Sequence, residues 1–146
     1  MRGKSIGLIT CGILASSAMA EPETPARGTA LRGALLDTVR VSAEHDLGAP
    51  VEFVVRTLLA DGDRAFAMLS AQRPGGGAID IAQTPMVLRD KVPLDFIDGP
   101  EVVAFMYRTN GVWTIDQYAT GSTDAWWAGG PACENYATLL PRGVCP

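Results

Sequence analysis

The side chains in this chain that can do chemistry are few and widely spaced. His45 is the single histidine, and it lies late in a helical segment where its cation suits a helix C-terminus. That capping or surface role accounts for it without catalysis. Asp116 and Asp124, with Asp80, Asp95 and Asp98 further off, offer carboxylates for acid/base work. Such a pair works only at a defined separation and in unequal environments. A serine nucleophile would need a G-x-S-x-G elbow, which is missing. Asp61 and Asp63 form an Asp-x-Asp fragment without the further ligands of a calcium loop, and read as turn residues. Gly75, Gly76 and Gly77 lack the Gly-Lys-Ser/Thr ending of a phosphate cradle and read as a loop. These patterns call for no catalytic residue, no metal and no cofactor.

Cys133 and Cys145 are left as a pair once Cys11 is assigned to an export signal. In an oxidising compartment two such cysteines form a disulfide, and zinc would need further Cys or His ligands. The remaining chemistry lies in "STDAWWAGGPAC", residues 122–133. Ser122, Thr123 or Asp124 can cap a short helical turn starting near Ala125, with Gly129-Gly130-Pro131 ending it. Adjacent residues point about 100° apart on a helix and to opposite sides on a strand. One of Trp126 and Trp127 is therefore expected to close the core beside Trp113, the other to stay partly exposed as a contact residue. The candidate binding residues are Trp126, Trp127, Asp124, Trp113 and Tyr118.

Arg2 and Lys4, an apolar run over 6–14 and Ala18-Met19-Ala20 before Glu21 follow the plan of a secretory signal cleaved after Ala20. A rival reading makes Cys11 a lipid-bearing cysteine, but Thr10 before it is unsuited and the later A-x-A would go unexplained. Residues 21–146 carry ten basic and sixteen acidic side chains, a formal charge of −6. This acidity, with cations scattered singly, speaks against nucleic acid and against an anionic membrane surface. No later segment has the roughly 20 apolar residues of a membrane span. A periplasmic or secreted location follows.

The elements that must position these groups read as one domain. Residues 21–28 form a flexible leader. Thr29 caps a helix whose Leu31, Leu35, Leu36, Val39, Ala43 and Leu47 line one side, and Gly48 and Pro50 stop it. Val51, Phe53, Val55, Thr57 and Leu59 alternate as one face of a strand, the "ADGD" turn follows, and residues 64–70 return as its partner. Residues 71–99 form a long connection with one short element near Ile79–Ile81. "EVVAFMYR" and "VWTIDQYAT" flank Asn110-Gly111, the preferred pair of a two-residue hairpin turn. On this reading Val103, Phe105 and Tyr107 share a face with Trp113 and Ile115. The expected fold is α+β, an N-terminal helix on a curved four-stranded antiparallel sheet of two hairpins with a disulfide-pinned C-terminal tail.

Gly62-Asp63, Ala65-Phe66-Ala67, residues 72–77, Asn110-Gly111, Trp113 and residues 121–127 carry a resemblance over most of the mature domain. The chain resembles small exported proteobacterial proteins of a cystatin-like or nuclear transport factor 2-like roll. The resemblance implies that fold, and no catalytic set carries over with it. The expected function is a non-enzymatic binding or interaction module of the bacterial envelope, with an envelope protein or small ligand as partner. The alternative is a small-ligand-binding or hydrolytic protein with a pocket inside the curved sheet. A deep pocket holding Asp or His would favour the alternative, and a filled interior the first reading.

Overall fold

The computed structural model describes residues 21–146; the expected signal segment and Cys11 lie outside the described residues. Helix α1 runs Ala30–Leu47, and its N-cap Thr29 accepts the Arg32 N–H at 3.3 Å. Leu35, Val39, Ala43 and Leu47, at four-residue steps, are fully buried. Gly48 ends the helix at φ +79°, and its N–H donates to the Glu44 carbonyl. Four strands follow, β1 Glu52–Asp61, β2 Arg64–Gln72, β3 Glu101–Thr109 and β4 Val112–Thr120, in one antiparallel sheet of order β1-β2-β3-β4. The fold is α+β, with one helix packed on a four-stranded antiparallel sheet.

The helix-facing side of the sheet is built from small residues along β2, while α1 itself packs chiefly over β4 and β3. Ala65, Ala67 and Ala71 alternate with Leu69 inside one buried cluster that also holds Leu58, Ala60, Val102, Ala104, Met106 and Trp113. Asn110 (φ +51°) and Gly111 (φ +80°) make the expected tight turn, which pairs Thr109 with Val112.

That turn also fixes a register that corrects the expected faces. Trp113 lies opposite Arg108 and Ile115 opposite Met106, so both point to α1. Val103 and Phe105 belong to a separate cluster on the other side. Directly paired residues share a face, and the expected grouping was one residue out of phase. In β1 the register shifts between Val55 and Thr57. This bulge carries Leu58 and Ala60 to the helix side and turns Thr57 and Leu59 away, against the simple alternation.

Three further expectations change. Residues 21–28 are tied down: Glu23 bridges Ala60 through two backbone hydrogen bonds of 2.8 and 2.9 Å. The 71–99 connection holds Ile81–Gln83, Leu94–Phe96 and a four-residue helix α2, Pro85–Leu88. Residues 125–128 form a turn, not a helix, and helix α3, Gly130–Tyr136, begins where an ending was expected. Pro131 suits the first turn of a helix because its missing N–H would have no helical partner there.

The C-terminal segment covers the second side of the sheet. Phe66, Val103 and Phe105 are buried there beneath Ala132, Tyr136, Leu139 and Leu140. Cys133 and Cys145 are bonded, with Cα atoms 5.4 Å apart, and close this segment on itself. Among the described residues no helix is long and apolar enough to cross a membrane.

Candidate functional site

The two neighbouring tryptophans sit at the corner of a turn closed by the Ala128 N–H to the Ala125 carbonyl at 2.8 Å. Neither is fully buried and neither lies beside Trp113. Both lean on the second cluster: Trp126 meets Phe105 edge-on at 5.9 Å between ring centroids, and Trp127 meets Phe66 at 6.0 Å. The expected division into one buried and one exposed ring assumed regular backbone. In a tight turn consecutive side chains are free of helix or strand spacing, so both rings reach one platform. Phe66 and Phe105, stacked at 4.8 Å, are that platform. Trp126 Nε1 is buried without a hydrogen-bond partner among the described residues.

The other candidate residues are dispersed. Asp124 is exposed and accepts the Ser122 hydroxyl at 3.0 Å, which braces the loop ahead of the tryptophans. Trp113 is 9% exposed in the helix-facing core with the Arg108 guanidinium 5.2 Å from its ring. Tyr118 donates its hydroxyl to Asp46, which also takes the Thr120 hydroxyl at 2.9 Å. Burial, reinforced by the Asp46 hydrogen bond, pushes the Tyr118 phenol well above its usual range. Trp113 and Tyr118 thus serve the helix–sheet contact, on the opposite side from Trp126 and Trp127.

The groups weighed for chemistry also find places. His45 Nδ1 lies 3.2 Å from Asp46 and 3.1 Å from Arg89 at the exposed end of α1. Asp80 accepts the Ala82 N–H, and Asp61 the Thr138 hydroxyl at 2.8 Å. Asp116, rather than pairing with Asp124, accepts the Tyr136 hydroxyl at 2.8 Å. No cluster of metal-ligating side chains occurs among the described residues. The Gly75–Gly77 loop is held by Arg73, whose side chain reaches back to the carbonyls of Leu47, Gly48 and Pro50.

Sequence reasoning overlooked Arg64, Tyr107, Asn135 and Tyr136. With Asp116 they line a cleft of about 280 Å³ on the second side of the sheet. A second cleft there, about 310 Å³, is apolar, between Pro22, Leu59, Met68, Leu139 and Pro141. A third, about 390 Å³, opens beside the disulfide. The sequence carried a signal for the covered second side, though not for the cleft residues themselves: "VVAFM" is an unbroken apolar run of the kind that marks a strand buried on both faces. The space between α1 and the sheet is filled by side chains of the first cluster. Comparison with family models, with curated proteins and with solved structures finds no match.

Proposed function

We propose that this chain is an exported, non-enzymatic binding or interaction module of the bacterial envelope, related to the cystatin-like or nuclear transport factor 2-like rolls, and that its contact surface is centred on Trp126 and Trp127. The observation that carries this reading is the pair of half-buried indoles propped from beneath by Phe66 and Phe105. Ordered aromatic surface is what binding hot spots are made of, because little side-chain freedom is lost on contact. The disulfide supports an oxidising compartment. The helix–sheet interior, filled with Leu35, Val39, Leu47 and Met106, supports the interaction reading over a pocket inside the sheet.

The experiment is capture from envelope extract by residues 21–146, compared with Trp126→Ala and Trp127→Ala. Each ring is half-buried, so each variant should stay folded and lose less than the ~3–5 kcal/mol of a core tryptophan. Both should release a partner that the unaltered protein retains. Capture that is unchanged in both folded variants would remove the tryptophan surface from the proposal, and turnover of an envelope peptide, ester or glycan would overturn the non-enzymatic reading.

A further inference from the structure

Near the turns of the two hairpins, three strands and α3 enclose the cleft of Arg64, Tyr107, Asp116, Asn135 and Tyr136. Its floor follows from strand pairing. Arg64 and Tyr107 are direct partners across β2 and β3, and the β3–β4 register passes from Gln117 to Ile115, leaving Asp116 unpaired in a bulge. Tyr136, 1% exposed and packed 4.7 Å from Phe105, brings its hydroxyl to Asp116 as one wall. Asn135 precedes it on α3, with Nδ2 donating to the Pro131 carbonyl at 3.1 Å.

We infer that this cleft binds one neutral sugar ring. Charges of both signs stand at its rim: the Asp116 carboxylate accepts the Tyr136 hydroxyl, and Arg64 Nη1 lies 3.4 Å from Asp63 with its guanidinium 5.9 Å from the Tyr136 ring. An anion would have to sit beside Asp116, and a cation beside Arg64. What these groups retain is hydrogen-bonding capacity. A carboxylate offers about four lone-pair positions and a guanidinium five donors, while an asparagine whose amide nitrogen is engaged keeps its carbonyl free. Donors and acceptors converging on one small space match a ring of hydroxyls, each of which both donates and accepts. The ring of Tyr107 adds apolar surface for the C–H side of a sugar. At about 280 Å³ the cleft has the size for one ring, just below the roughly 300–1,000 Å³ of clefts that bury drug-sized ligands.

This inference does not rest on the tryptophan contact, which lies on a different segment. The experiment titrates ¹⁵N-labelled residues 21–146 with glucose, galactose, mannose and N-acetylglucosamine, each free and as its methyl glycoside. Glycine and inorganic phosphate are the competing chemistries. The expected result is saturable shifts at Tyr107, Asp116 and Asn135 for at least one sugar; acceptance of its methyl glycoside marks a glycan end, and refusal marks a free sugar. Asp116→Asn, which can still accept from Tyr136, and Arg64→Gln should each weaken binding about tenfold or more while the rest of the spectrum is kept. The inference is overturned if no sugar saturates these positions, if glycine or phosphate binds there instead, or if both folded variants keep full affinity.

Discussion

Tyr118 and Tyr136 each donate a phenolic hydrogen bond to a carboxylate, Asp46 on the helix side of the sheet and Asp116 on the other. For both, burial first and the carboxylate second raise the phenol above its usual range. The consequence for stability has a definite sign. Above about pH 10 the unfolded chain releases these protons while the folded chain keeps them. The stabilisation is therefore complete below that pH and is lost as pH rises through the folded values. Urea unfolding measured from neutral to strongly alkaline pH should show stability falling above about pH 10, and the fall should be shallower in Tyr118→Phe with Tyr136→Phe. Identical pH slopes for the two proteins would mean that neither phenol is coupled to folding.

At the level of elements, the segment that departs most from the sequence reading is the C-terminal one. Its disulfide joins residues 12 apart, a closure that stabilises by about 3 kcal/mol in the chain-entropy model. Cys133→Ser with Cys145→Ser should therefore lower the melting temperature by about 10 °C in thermal unfolding followed by circular dichroism. An unchanged melting temperature would show that packing alone holds the segment. What could be read in advance was local: the Thr29 cap, the Gly48 stop and the Asn110-Gly111 turn each depend on one or two residues whose backbone preferences decide the outcome. What was misread depended on phase. A bulge near Arg56 and another at Asp116 leave no mark in composition, yet each reverses which side chains face the helix. Gly121 shows the same limit: at φ +64° a Cβ would come within 2.6 Å of Ile97, a contact made by the distant 71–99 connection. The cleft residues stayed hidden for the same reason, since Arg64, Tyr107, Asp116 and Tyr136 meet only through tertiary pairing.

At the scale of the whole molecule, the central strands carry two cores at once. Along β3, Val102, Ala104 and Met106 face α1 while Val103 and Phe105 face the C-terminal segment. Such a sheet cannot leave one side to water, because uncovering the second side exposes the stacked Phe66 and Phe105 together with Val103, Leu59 and Met68. Contiguous apolar surface of that kind drives association. The tail is therefore a second cover and not an appendage. A chain ending at Gly129 keeps α1, all four strands and the first cluster, but loses Ala132, Tyr136, Leu139 and Leu140. It should retain most of its far-ultraviolet circular dichroism, bind a hydrophobic dye and elute as oligomers or aggregates in size-exclusion chromatography. The full-length protein carrying Cys133→Ser and Cys145→Ser, which keeps the packing and loses only the crosslink, should elute as the unaltered protein does. A truncated chain that elutes as the unaltered protein does, dye-free and equally stable, would show that the helix side alone carries the fold and that the second layer exists only to present the tryptophans and the cleft.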